Sequence, residues 1–225
     1  MRQDLKSERS RRQILDAALD LFSHRGYGAT SIRDIADGAG LSTGNVYHHF
    51  ADKEDIYNTI FEEYWEAISS PDFPFNKALA SGLFPDNLEA LGWAAEQSVR
   101  QYKKQIALIY VDVVEFDGRH IRRFYADMSQ RFSIFIDAHG RAEVEKRLRP
   151  GVSPVAAVML ATRFYLNFFS VEILFGVKDH FGKATEQTIK EISDILRRGM
   201  LRDEELAKVA AKPAKVVKKA AARKK

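Results

Sequence analysis

At 225 residues, with 45% hydrophobic and 11% aromatic content, the chain has apolar material for one large core or for a small domain beside a larger one. The lack of cysteine excludes a disulfide framework and thiolate chemistry, and the N-terminus lacks the charged, apolar, small-residue order of a secretory signal, so a reducing cytoplasm is expected. The net charge of +4 is uneven: residues 207–225 carry eight Lys and Arg and no acid, and the rest of the chain is net acidic.

Ser7 is placed to cap a first helix in which Ile14, Ala18, Leu21 and Phe22 recur at helical spacing, with His24 and Arg25 before a stop at Gly26. Ser31 and Asp34 then form a capping-box pair, and Ile32, Ile35, Ala36 and Ala39 mark one face of a short second helix. Gly40 supplies a tight turn, Leu41 plugs it, and Ser42 caps a third helix of about seven residues. Two short helices across a glycine-containing turn make a helix-turn-helix. In the third helix Val46 and Phe50 face inward, while Gly44, Tyr47 and His48 face out and Thr43 sits in the first turn. A recognition helix reads base edges with its N-terminal residues and anchors phosphates at its flanks, which suits Thr43, Gly44 and Asn45 near bases and Tyr47 on the backbone. Asp52 caps a fourth helix with Asp55 at its third position, and Lys53 stands where an ammonium and helix amides can hold a phosphate. His48 and His49 do not read as a metal pair, because adjacent helical residues diverge by about 100° and no further ligand completes a site.

The run Thr30-Ser31-Ile32-Arg33-Asp34-Ile35-Ala36, Ala39-Gly40-Leu41-Ser42, Val46-Tyr47-His48-His49-Phe50 and Asp52-Lys53-Glu54, with Ile14 upstream, closely resembles the DNA-binding head of the tetracycline-repressor (TetR) family. The resemblance implies a homodimer on a palindromic operator of double-stranded DNA. It also implies base contacts from Thr43, Gly44, Asn45 and His48, phosphate contacts from Thr30, Ser31, Tyr47 and Lys53, and a structural role for His49.

The fourth helix is expected from Lys53 to about Ser69, with Ile56, Ile60, Tyr64 and Ala67 on its core face. Pro71, Pro74 and Pro85 punctuate the next segment, and a short helix fits inside it. Residues 86–117 read as helix in two pieces, followed by a helical stretch from Arg119 to about Lys146 and a break at Pro150-Gly151. Ser153-Pro154 starts a helix running to about Phe175 that is apolar nearly all round. Arg163, Asn167 and Glu172 make it expensive as a membrane span, so it is expected to be a buried helix. The last helix, Thr185 to about Leu201, repeats Ile189, Ile192, Leu196 and Met200, and charge at Leu196 or Met200 is expected to split a four-helix dimer interface built from these two helices and their copies. Its closing run, residues 192–200, also looks like the end of many TetR-type regulators.

The fold expected is therefore all-α. A helix-turn-helix head spans residues 1–52, a helical effector-binding and dimerisation body spans 53–203, and a disordered basic tail spans 204–225. The tail reads either as a mobile cation on DNA phosphates or as a solubilising segment. The family usually holds its effector between the central helices. The residues expected to meet a small apolar or amphipathic effector are Tyr110, Phe116, Phe124, Phe132, Arg163, Phe164, Asn167 and Phe168. No nucleophile elbow, phosphate loop or His-Glu metal pair occurs, so neither enzymatic activity, a cofactor nor a metal is expected. The competing reading is a ligand-independent architectural DNA binder of the same fold.

Overall fold

The structure, a computed structural model, describes residues 2–82, 84–138, 140–177, 179 and 181–211. The described residues form helices α1 (Arg2–Arg25), α2 (Ile32–Ala39), α3 (Thr43–His49), α4 (Lys53–Ser69), α5 (Pro74–Ala80) and α6 (Leu88–Gln101). They continue as α7 (Lys103–Glu115), α8 (Arg119–Ala138), α9 (Arg141–Arg147), α10 (Pro154–Leu174), α11 (Thr185–Met200) and α12 (Asp203–Ala211). Among the described residues no strand forms, and extended backbone pairs only in an isolated bridge between Leu148 and Leu201.

Helix α1 starts upstream of Ser7, which lies inside it and caps nothing. Residues 2–6 contain Arg, Gln, Leu and Lys, good helix formers with no Pro or Gly among them, so nothing halts the helix there. The head packs Ile14, Leu15, Ala18 and Phe22 of α1 on Ile35, Ala36 and Ala39 of α2 and Val46 of α3. That core does not close at residue 52. Ile56, Tyr57, Ile60 and Phe61 of α4 complete it, with Leu108 from α7. Each large apolar side chain so buried contributes roughly 1.5–3 kcal/mol.

A second core fills the body. Leu88, Leu91, Ala95 and Val99 of α6 meet Ala157, Val158, Ala161 and Tyr165 of α10, and Ile189, Ile192 and Met200 of α11 close over them. The Tyr165 hydroxyl lies 2.7 Å from Ser193 Oγ, so its polar tip has a partner inside this layer. Tyr102 alone separates α6 from α7, and its N–H still bonds Ser98 O at 3.0 Å, so the two helices run on in one direction. They lead from the end of the body near Arg197, which pairs with Glu89, to the head, where Glu115 meets Tyr27.

The stretch expected as one helix from Arg119 to Lys146 is two, α8 and α9, broken where Gly140 adopts φ 99°. The tail expected to be disordered from residue 204 begins instead as helix α12. Its acidic first turn, Asp203, Glu204 and Glu205, suits a helix N-terminus. Arg149 reaches Asp203 at 2.8 Å and Arg147 reaches Glu205 at 3.0 Å, which ties α12 to the body. The remainder of the tail expectation, residues 212–225, lies outside the described residues. Helix α10 is long and apolar enough to cross a membrane, but Ala157, Val158, Ala161, Tyr165 and Phe169 are buried in the body core.

Candidate nucleic-acid interface

The α2–turn–α3 unit is assembled by its caps. Ser31 Oγ accepts the Asp34 N–H at 3.1 Å while Asp34 Oδ2 accepts the Ser31 N–H at 2.8 Å. The Ser31 hydroxyl and N–H together hold the Asp34 carboxyl below its ordinary range. Gly40 then turns the chain with φ 67°, a left-handed conformation that a Cβ would penalise, and its successor Leu41 bonds Ala36 O at 2.9 Å. Ser42 Oγ accepts the Asn45 N–H at 3.2 Å and starts α3, and Asp52 Oδ1 accepts the Asp55 N–H at 2.8 Å and starts α4. Each such cap contributes about 1 kcal/mol.

Val46 and Phe50 are buried, which fixes the roll of α3 and leaves Thr43, Gly44, Tyr47 and His48 exposed on its outer side. Tyr47 is 59% exposed, unusual for so large a ring on a helix this short. Asn45 is half-buried with its amide oxygen shut away from any partner, so a base contact from it requires the amide to turn. The rings of His48 and His49 meet edge-on at 5.1 Å, and burial and His48 together push the His49 pKa down.

Two residues expected at phosphates are engaged inside the head. Thr30 is 1% exposed and its hydroxyl donates to Gly26 O at 2.8 Å, so its side chain is turned into the head. Lys53 Nζ donates to Tyr27 O at 2.8 Å and to Thr30 O at 2.7 Å, and lies 4.0 Å from the centre of the Tyr27 ring. Burial pushes the Lys53 pKa down. Tyr27 and Thr30 turn their carbonyls toward the start of α4, and the ammonium bonds both. Ser31, exposed at the N-terminus of α2, is the expected phosphate residue of that turn that remains accessible.

The eight residues expected at an effector do not converge. Phe116 packs in the head against Tyr27 and Tyr57, and Phe124 stacks on Trp65 at 4.4 Å. Tyr110 stands on the surface near Phe175, and Arg163 lies over the Tyr125 ring at 5.1 Å. Phe164 and Asn167 are exposed, while Phe132 and Phe168 belong to the body core. None of them lines the enclosed space of about 10 Å³ between Leu79, Phe84, Phe135, Val144 and Val158.

The positions expected to break a dimer turn toward the chain's own core. Met200 is buried and Leu196 packs against the body's own core, whereas the outer faces of α10 and α11 expose Leu160 (57%), Phe164 and Ile195 (63%). An apolar repeat at helical spacing marks the side facing the chain's own core as readily as a side facing a second copy. The contact missed altogether in the sequence is Glu115, whose carboxylate bonds the N–H groups of Tyr27 and Gly28 across 87 and 88 positions of chain. No local pattern announces a pairing over that separation.

Residues 14–60 match the family model described as bacterial regulatory proteins, tetR family. The repressor KstR2 of Mycolicibacterium smegmatis is 32% identical over 131 residues, covering 53% of this chain and 63% of that protein. The regulator AcrR of Shigella flexneri is 44% identical over 57 residues, 25% of this chain and 26% of AcrR. Across the KstR2 relatives the match spans about half of their length, from 44% to 63%. Among solved structures, NalD, the secondary repressor of the MexAB-OprM multidrug efflux pump in Pseudomonas aeruginosa, superposes with a TM-score of 0.60 at 26% identity, covering 88% of this chain and 99% of NalD. The ketosteroid transcriptional regulator KstR2 of Mycobacterium tuberculosis shares the fold, with a TM-score of 0.59 at 22% identity over 86% of this chain and 95% of its own. The helix-turn-helix head and helical body of this chain share the fold of these proteins. Residues 14–60 are thus similar to the DNA-binding head of the tetR family.

Proposed function

We propose that the chain is a dimeric, DNA-binding transcriptional repressor that leaves a palindromic operator when a small apolar or amphipathic effector binds its body. The observation that carries the reading is the outer face of α3, where Thr43, Gly44, Tyr47 and His48 are free while Val46 and Phe50 anchor the helix from behind. The N-terminal residues of α3 read base edges in the major groove, and Tyr47 and Ser31 hold the flanking phosphates. Lys53 serves the same contact indirectly, by shaping the turn ahead of Ser31.

Dimerisation brings two heads to a spacing near one DNA turn, about 34 Å. The exposed Leu160, Phe164 and Ile195 supply its apolar centre, α10 and α11 of each copy forming a four-helix interface. The effector enters between α8 and α10, beside Phe132 and Phe168. Helix α8 buries only Ile121 and Ile136 among its described side chains, so it is the wall that yields at least cost. By linkage, an effector that prefers this opened body lowers DNA affinity by its own preference for that state. The names of the similar proteins, a ketosteroid regulator and a multidrug-efflux repressor, fit an apolar effector.

The test is selection of duplexes from a random-sequence library by the unmodified protein, followed by sequencing. A recovered inverted repeat supports the reading, and recovery of unrelated sequences at equal affinity overturns it. One observation favours the ligand-independent alternative: the enclosed space of about 10 Å³ holds at most a water molecule. Release of the selected duplex by apolar small molecules separates the two.

A further inference from the structure

The last turn of α7 grips the head at a point away from the outer face of α3. Tyr27 N–H donates to Glu115 Oε1 at 2.9 Å and Gly28 N–H donates to Oε2 at 2.5 Å, one carboxylate oxygen for each amide. Hydrogen bonds to an ionised acceptor are roughly twice as strong as neutral ones, and a two-point fork also fixes orientation. The carbonyls of the same turn are held from the other side by Lys53. The connection between α1 and α2 is thus clamped between an acid of the body and a base of α4.

The glycines on either side of Tyr27 make room for that acid. A Cβ on Gly26 would stand 2.7 Å from Glu115 Oε1, and one on Gly28 would stand 3.0 Å from Oε2. A side chain at either glycine would push the carboxylate out of its fork, so the Gly26-Tyr27-Gly28 sequence and Glu115 form one fitted contact. About one turn earlier in α7, the buried Asp112 accepts the Ile121 N–H at 3.0 Å and lies 2.6 Å from His120 Nδ1. His120 Nε2 lies 2.7 Å from Asn58 Oδ1 on α4, and Arg119 pairs with Glu54 on α4 at 3.0 Å. The end of α7 and the start of α8 therefore hold both the turn that precedes α2 and the helix that follows α3.

We infer that Glu115 is a positioning residue for DNA binding, through which the body sets the stance of α2 and α3. This inference rests on the DNA-binding reading above. A body rearrangement that shifts the end of α7 moves the turn at residues 26–30 directly, instead of acting on the head through α4 alone. The coupling is physical and contiguous: carboxylate, two amides, then the capped start of α2. Glu115 itself touches no DNA.

The experiment uses full-length Glu115→Gln and Glu115→Ala with a duplex selected from a random library by the unmodified protein. Hydrogen exchange at the Tyr27 and Gly28 amides is expected to quicken by about tenfold or more, while amides in the middle of α10 keep their rates, which separates loosening of the turn from unfolding. Affinity for the selected duplex is expected to fall by about tenfold, with the slope of log affinity against log salt unchanged because no phosphate contact is lost. Removing an acid near DNA would by charge alone strengthen binding, so a loss of affinity is the mark of positioning. Unchanged exchange at Tyr27 and Gly28 overturns the inference. So does faster exchange with undiminished affinity, which would make Glu115 a structural clamp only. If the unmodified protein selects no duplex, the DNA-binding reading falls and takes this role with it; selection by the unmodified protein with undiminished binding by the variants sinks the inference alone.

Discussion

Head and body are held together in different ways. In the head, α2, α3 and α4 each begin on a side chain that accepts an amide of the helix's first turn, and aromatic rings fill the core between them: Phe22, Tyr27, Tyr57, Phe61 and Phe116 lie in mutual contact. In the body Ser153 caps α10, but α5, α6, α7, α9 and α11 begin with no side-chain cap, and long apolar faces do most of the work. The head closes most of its apolar surface and leaves Leu5 on α1 and Tyr47 on α3 open. The body leaves Leu160, Phe164, Phe175 and Ile195 open. A unit with directional bonds at every turn has one geometry, as reading base edges requires. A unit held by apolar faces can slide and repack, as binding a second copy or an effector requires.

That contrast can be broken most severely at the open face of the body. Leu160→Asp or Ile195→Asp should weaken self-association by about a hundredfold or more without unfolding the monomer, since each places a charge at the centre of the proposed apolar interface. Sedimentation at micromolar concentration reads this, and an unchanged sedimentation profile would move the interface elsewhere. Met200→Asp, directed at the body's own core, should instead destabilise the fold, because it buries an unpaired charge.

A smaller effect is expected from Lys53→Met. It keeps the aliphatic stem but removes the ammonium from both carbonyls, leaving Tyr27 O with the Thr30 N–H and Thr30 O without its donor, and should cost the folded head about 1–3 kcal/mol in chemical unfolding. Were Lys53 purely a phosphate ligand, stability would not change and only DNA affinity would fall. The smallest is Tyr47→Ala. On an exposed position it should leave the melting temperature within about a degree or two, yet weaken binding to selected and random duplexes alike by about tenfold. Unaltered affinity for both would mean α3 docks in another orientation.

The sequence carried the head well because its signals are local. Ser31 with Asp34, Ser42, and Asp52 with Asp55 each declare a helix start within four residues, and the caps form as that spacing implies. Thr30 and Lys53 were legible as important but not in their roles. Their partners lie across a turn, and whether a hydroxyl or an ammonium faces DNA or a carbonyl depends on how α4 meets α1. In α10 the apolar residues run nearly all round, so periodicity could not tell the side facing α6 from the side left open at Leu160 and Phe164. The effector residues were least legible of all, since an aromatic at helical spacing looks the same whether it stacks on Trp65, as Phe124 does, or joins the core, as Phe168 does.

In the proposed function one rigid reading head per chain is set at a fixed spacing by a dimeric body. Hydroxyl-radical footprinting of the unmodified protein on its selected duplex tests this most directly. The account predicts two protected half-sites related by two-fold symmetry, about one helical turn apart, both lost together at low protein concentration when Leu160→Asp is introduced. A single protected half-site, or protection of both that survives dissociation of the dimer, would contradict it.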